Sequence, residues 1–332
     1  MYYKLSVNQL LLTIRPEILS RVNTLDLNIP SSRCNDAVNS LLQRTVLLGG
    51  KRLRPLLTYL MGDLFSLPLN RIDLAARSIE QVHAASLSHD DVVDGATTRR
   101  GRPSINQLAG NQKAVLAGDY LLADLIIQLT EEGNLQLVTE MASIIQALAL
   151  GEWLQLDIAN DRTVDQEKIE QVARYKTASV MSWCCVAPAY LAGLEDSLIS
   201  LCREFGECLG MAFQLMDDTI DFQHDSLKDI NLDIDNGVLN MVIFHWLEAN
   251  PDAKERFRQG EELVSLITPI NLGEAVEAVK QQAGGYLERG QKLLHQIGAL
   301  YVQQDQNKKH PQFANKMVPL FTIIDYLGGR ES

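Results

Sequence analysis

The chain has 332 residues, 46% apolar and 22% charged, enough for one large folded domain or two ordinary ones. Its net charge of −12 excludes a general nucleic-acid binder, which needs a basic face, and any anionic ligand must be received by a local basic cluster or by bound cations. The 5 cysteines are odd in number and include no CxxC pair, which predicts reduced thiols in a cytoplasmic protein. In chain order, MYYKLSVNQLLLTIRPEIL lacks a basic n-region, a long apolar run and a cleavage site, so no secretory signal is expected. No window holds the roughly 18 uninterrupted apolar residues of a membrane span, so no transmembrane segment is expected; a role at a membrane surface stays open.

GGKRLRP then sets Lys51, Arg52 and Arg54 behind two glycines at the expected start of a helix. Cationic side chains near backbone N–H groups suit a phosphate. SLSHDDVVDGATTRRGRP follows, with Asp90, Asp91 and Asp94 set against Arg99, Arg100 and Arg102. The segment QKAVLAGDYLLADLIIQLTEEG predicts a helix, with Val115, Leu116, Tyr120, Leu122, Leu125 and Leu129 at three- and four-residue spacing. Thr163 to Gln166 has the form of a capping box opening a long helix through QEKIEQVARYKTASVMSWCC. Another helix is expected from about Asp196 to Phe222, and a last one in MVPLFTIIDYLGG. Trp153, Trp183 and Trp246 are expected in packing, and His89 in a structural role. No hairpin pattern and no Pro-, Gly- or Ser-rich linker occurs. The expectation is one all-α domain over residues 1–332, a large bundle of ten or more helices.

AFQLMDDTIDF repeats the first cluster's spacing with Asp217, Asp218 and Asp221. On a helix, residues four apart share a face about 6 Å apart. Asp90 therefore stands over Asp94, and Asp217 over Asp221. Like charges this close repel, so two such clusters in apolar helices call for a counter-charge. Mg²⁺ answers, because it takes oxygen ligands and is completed by substrate phosphates. The metal also explains how an acidic protein would bind a diphosphate.

Together GGKRLRP, the paired DDxxD motifs, RRGRP and the terminal IIDYLGGR resemble the trans-isoprenyl diphosphate synthases along nearly the whole chain. HAASLSHDDVVD and ALGEWLQL are most similar to the long-chain, octaprenyl-type members. The resemblance implies the isoprenoid synthase fold around a central cavity, a homodimer, and head-to-tail addition of isopentenyl diphosphate to an allylic diphosphate. It implies three Mg²⁺ ions per active site, held chiefly by Asp90, Asp94 and Asp217, with Asp91, Asp218 and Asp221 supporting. Lys51, Arg54, His83 and Arg100 match residues that hold isopentenyl diphosphate; Arg99, Lys176, Gln214 and Lys228 match those that hold the allylic diphosphate. Lys176, Thr177 and Gln214 are the implied catalytic group, Thr177 helping to stabilise the developing cation.

Ala85 and Ser86, five and four residues before Asp90, lie where family members that stop at fifteen carbons carry large aromatics. Two small residues there imply a product of at least twenty carbons; the similarity to the long-chain members implies thirty to forty-five. One segment departs from the family pattern: KDINLDIDNGVLNMV has Val238 for a lysine, Asn240 for a threonine and Val242 for a proline. Two other readings remain. A class I terpene cyclase does not need the second aspartate motif, and a non-catalytic partner subunit does not need to keep both.

Overall fold

The computed structural model describes residues 7–29, 36–220, 222, 238–267, 272–304 and 313–329. The helical periodicity of the sequence is realised almost throughout. In order the helices are Val7–Leu12, Pro16–Asn23, Asp36–Arg44, Leu53–Leu64, Leu69–Val93, Ile105–Ala109, Asn111–Glu131, Leu135–Asp161, Gln166–Ala173, Ser179–Leu191 and Asp196–Ile220, then Met241–Ala249, Pro251–Arg258, Leu263–Leu266, Gly273–Gln304 and Phe313–Gly328. The expected all-α class is therefore observed. Among the described residues the exception is a two-residue antiparallel ribbon, Thr98–Arg99 with Arg102–Pro103. Its turn residues Arg100 and Gly101 have φ of 53° and 72°, the backbone that closes a two-residue hairpin.

The chain divides into two compact units. One, containing the first aspartate motif, comprises Ile14–Ile145 and Trp183–Ile199. The other, containing the second motif, comprises Met1–Thr13, Gln146–Ser182 and Ser200–Ser332.

In the first-motif unit, Leu69–Val93 packs against both Leu53–Leu64 and Asn111–Glu131. The buried stripe of Asn111–Glu131 is Ala114, Ala117, Gly118, Leu121, Leu125 and Leu129, whereas Val115 and Leu116 face outward. The stripe expected from the larger apolar residues is thus rotated toward the small ones, which let the neighbouring backbone come close. Ser88 Oγ donates to the Ala114 carbonyl at 2.7 Å, and a side chain at Gly118 would collide with the His89 imidazole. His89 Nε2 lies 3.3 Å from Asp119, in keeping with a structural role. Asp73 ties three helices: Arg21 donates to it through Nε and Nη2, and Tyr59 through its hydroxyl at 2.7 Å. Buried Trp183 donates its indole N–H to the Ala75 carbonyl at 2.9 Å.

In the second-motif unit, the helix expected from Thr163 is capped instead by Asp165, whose carboxylate accepts from the N–H groups of Glu167 and Lys168. The cap lies one residue before the first helical residue, where an extended backbone lets the side chain turn back onto the free N–H groups. That helix does not continue regularly. It passes through a π-turn, Arg174–Ala178, before Ser179–Leu191 resumes α geometry. Asp196–Ile220 reaches this segment through two glycines. A methyl group at Gly206 would stand 2.6 Å from the Ser182 Cα, and one at Gly210 would overlap the Ala178 Cα. Gly210→Ala gains up to about 1 kcal/mol of helix propensity, but the obstacle is backbone and cannot rotate away. A net loss of about 1–3 kcal/mol is expected as a lower urea midpoint; an unchanged midpoint would refute this packing.

Trp183 and Trp246 are buried as expected. Trp153 is not: it is 71% exposed, because it lies on the outward side of its helix with Leu150 and Leu156.

Candidate active site

The first motif occupies the end of a helix. Leu69–Val93 stops at Asp94 and Gly95, where Ala96 N–H bonds to the Asp91 carbonyl and Gly95 N–H to that of Val92. This is a Schellman closure, with Gly95 at φ 62°. Asp90, Asp91 and Asp94 are therefore crowded into the last turn, where the helix dipole is already negative. Each carboxylate there is disfavoured by about 0.3–1 kcal/mol. Evolution of a stable helix alone would place lysine here; three acceptor-only oxygen groups suit a hard divalent cation.

The three aspartates are not equivalent. Asp94 is exposed and Asp90 partly exposed, while Asp91 is buried. One Asp91 oxygen accepts from Arg99 Nε at 2.5 Å, and its carbonyl accepts from Asn106 Nδ2 at 2.8 Å. Asp91 thus binds the following ribbon to the helix and aims Arg99.

The basic residues separate in the same way. Arg52, left-handed at φ 48°, donates to the carbonyls of Val22 and Leu25, closing the end of helix Pro16–Asn23. Arg100 Nη1 donates to the Leu48 carbonyl at 2.7 Å, which brings its guanidinium beside Gly49 and Gly50. A pocket of about 280 Å³ opens here, lined by Gly49, Gly50, Arg99, Arg100 and Arg102 among others. Lys51 is exposed in the adjoining loop.

Arg54, Arg100, His83 and Glu80 share one electrostatic neighbourhood. Burial raises the Glu80 carboxyl, opposed by Arg54, Arg52 and Arg100. Burial, reinforced by Arg54, Arg100 and Arg99, holds the His83 imidazole well below its ordinary value. Folded His83 therefore stays neutral where the unfolded chain takes up a proton. Below an unfolded value of about 6.5 the unfolded state binds more protons, so stability falls as pH drops from about 7 toward 5. The slope is at most about 1.4 kcal/mol per pH unit. In urea unfolding at pH 7 and pH 5, His83→Gln is expected to lose about 1–2 kcal/mol less than the wild type on acidification. An equal loss would show that His83 is not held neutral. Glu80 has the opposite sign, losing stability as pH rises above its unfolded value, and is present in both proteins.

In the second-motif unit, Asp217 and Asp218 also lie in the last turn of a helix, Asp196–Ile220. Asp217 is partly exposed and Asp218 buried, the same division as in the first motif. A continuous polar chain runs through Asp218. Thr177 Oγ donates to Gln214 Oε1 at 2.6 Å, Gln214 Nε2 donates to Asp218 Oδ1 at 2.8 Å, and Met241 N–H donates to Asp218 Oδ2 at 3.1 Å. The described end of the departing segment is thereby tied in: Asn240 caps helix Met241–Ala249 by accepting from Ile243 N–H at 3.0 Å, and Val242 is fully buried. Asn240 supplies the cap oxygen a threonine would have given. Lys176 projects from the π-turn with its ammonium on Glu152 and, at 3.0 Å, on Gln155. Asp221 and Lys228 lie outside the described residues.

Of the residues expected to set product length, Ala85 is fully buried; Ser86 is half-buried, its hydroxyl on the His83 carbonyl at 2.9 Å. The structure thus brings Arg54, His83 and Arg100 together in one unit, and Thr177, Gln214 and Asp218 in the other. Sequence reasoning passed over Glu80, Glu152 and Gln155. Their signal was present, since Glu80 lies three residues before His83 and Glu152 three before Gln155 on single helix faces.

The comparisons agree with this geometry. The family model for polyprenyl synthetase matches residues 35–265. Solanesyl-diphosphate synthase 1, mitochondrial, of Oryza sativa is 34% identical over 255 residues, 71% of this chain and 58% of that one. The octaprenyl diphosphate synthase of Escherichia coli K12 is 30% identical over 257 residues, 74% of this chain and 80% of that one. The crystal structure of a decaprenyl diphosphate synthase from Rhodobacter capsulatus superposes with a TM-score of 0.80 at 26% identity, covering 98% of this chain and 99% of that one. The all-helical architecture is the isoprenoid synthase fold. The chain belongs to the polyprenyl synthetase family, in which magnesium dependence is typical. It spans 58% of the rice relative and 56% of the solanesyl diphosphate synthase 3 of Arabidopsis thaliana.

Proposed function

We propose that the protein condenses isopentenyl diphosphate head-to-tail with an allylic diphosphate, forming an all-trans polyprenyl diphosphate of thirty to forty-five carbons as a single polyprenyl synthase domain. The observation that carries this reading is the repeated layout of the two motifs. In each, the first two aspartates lie in the last turn of a helix, the first partly exposed and the second drawn into the protein. Asp90, Asp94 and Asp217 would hold magnesium, three ions with substrate, with Asp91, Asp218 and Asp221 in support. These hard oxygen donors fit that ion. When bound, it neutralises the diphosphate and stabilises it as a leaving group.

The protein's own groups do the rest. Lys51, Arg54, His83 and Arg100 hold isopentenyl diphosphate, and neutral His83 keeps one ring N–H as a donor. Arg99, Lys176, Gln214 and Lys228 hold the allylic diphosphate. The allylic C–O bond breaks with its electron pair going to the diphosphate, the isopentenyl double bond forms the new C–C bond, and a proton leaves the adjacent carbon. The Thr177 hydroxyl, oriented by Gln214, helps stabilise the cation by pre-placed dipoles.

Length is tested through Ser86. Wild type is expected to release products of thirty carbons or more. Ser86→Phe should shorten them by ten carbons or more, read by chromatography after dephosphorylation. An unchanged length would remove Ser86 from the product's path.

The homodimer is supported by exposed apolar side chains on two long helices: Val115, Leu116 and Ile127 on one, Leu150, Trp153 and Leu156 on the other. The second, Leu135–Asp161, is by length and composition the one described helix able to cross a membrane, with a window of mean hydropathy 1.2. A partner copy would cover such a face. A cytoplasmic setting is supported by the buried reduced cysteines Cys184, Cys185, Cys202 and Cys208. Contact with a membrane surface would serve release of the apolar product.

A further inference from the structure

The lysine assigned to the allylic diphosphate is not a free arm. Lys176 Nζ is paired with Glu152 and also donates to Gln155 at 3.0 Å. The pair is largely covered, the side chains being 26% and 15% exposed, and the second Glu152 oxygen is buried without a hydrogen-bond partner. Helix Leu135–Asp161 and the π-turn are close enough for this because residue 151 is glycine. A methyl group there would stand 2.7 Å from Lys176 Cγ and 2.9 Å from Tyr175 Cβ. The π-turn widens the helix at this point, which is how such turns aim a functional side chain.

An ammonium has three N–H donors. Two are occupied by Glu152 and Gln155, which leaves one. Pulling Lys176 wholly away would strand the Glu152 carboxylate, already short of one donor, in a covered site. That is the unfavourable way to break such a pair. The lysine is held in place, not stored out of reach.

We propose that Glu152, assisted by Gln155, is a positioning residue that holds the Lys176 ammonium at a set place with one N–H directed to the diphosphate. This rests on the synthase reading and adds to it a residue pair, Glu152 and Gln155 within GEWLQ, that presents the lysine ready-placed. A ligand then meets a donor that needs no reorganisation, which is where most electrostatic catalysis resides.

A double-mutant cycle tests it. Single-turnover elongation of farnesyl diphosphate by labelled isopentenyl diphosphate is measured for wild type, Glu152→Ala, Glu152→Gln, Lys176→Ala and Glu152→Ala with Lys176→Ala. Glu152→Ala should slow the step by about 10²-fold, the scale of a misplaced catalytic group. Added to Lys176→Ala it should cost less than about 3-fold more, because the two act as one unit. Glu152→Gln keeps an acceptor oxygen and should return to within about 10-fold of wild type. Full multiplication of the two losses, or a Glu152→Ala rate equal to wild type, would overturn the proposal. The same cycle is read as the Kd for magnesium pyrophosphate by calorimetry. A wild type that binds pyrophosphate and elongates nothing would overturn the synthase reading alone, and the binding cycle would still decide the coupling. Equal Kd values for wild type and Lys176→Ala would overturn the coupling.

Discussion

Asp90→Ala and Asp217→Ala are each expected to lower turnover by about 10³-fold, because on the proposed reading each would remove an oxygen donor from bound magnesium. Stability should move the other way. Both carboxylates sit in the final turn of a helix, at its negative end. The helix-dipole part of the change should favour each metal-free variant by about 0.3–1 kcal/mol. Steady-state kinetics with excess magnesium, beside thermal melts in chelator, read both quantities. Turnover within tenfold of wild type would show that the aspartate has no role in catalysis. A large fall in melting temperature would show that it is structural.

Asp218→Ala is expected to behave in the opposite manner. Its buried carboxylate accepts from Gln214 Nε2 and from Met241 N–H, and alanine leaves both donors without an acceptor. Each stranded donor costs about 1–3 kcal/mol, so a loss of about 2–6 kcal/mol in urea unfolding is expected. Activity should fall with it, because Gln214 also orients the Thr177 hydroxyl. Asp218→Asn keeps one acceptor oxygen and should lose about half as much. A variant within about 0.5 kcal/mol of wild type would remove Asp218 from this network. The contrast between Asp217 and Asp218 separates two adjacent, chemically identical residues by where the helix points them.

That separation shows what the sequence could carry. Two DDxxD spacings on apolar helices implied a cation and a diphosphate, because charge repulsion at four-residue spacing follows from helix geometry alone. The inward turn of Asp91 and Asp218 did not follow, since it depends on Arg99, Asn106 and Met241 arriving from other elements. Long helices were legible from their apolar period. The π-turn at Arg174–Ala178 was not: it lies where neighbouring helices approach closely at Gly151 and Gly210, a matter of tertiary space. The outward-facing Val115 and Leu116 misled for the same reason, as a helix that packs closely buries its small residues first. Val238, Asn240 and Val242 read as departures from the family pattern in the sequence. In the structure Asn240 is a helix cap and Val242 is core.

The central claim is metal-dependent chain elongation. Purified protein would be incubated with labelled isopentenyl diphosphate and farnesyl diphosphate, with magnesium or with excess chelator, and the dephosphorylated products separated by length. A ladder ending at thirty carbons or more, present only with magnesium, is the predicted result. No elongation from farnesyl, geranyl or dimethylallyl diphosphate in the presence of magnesium would contradict the account.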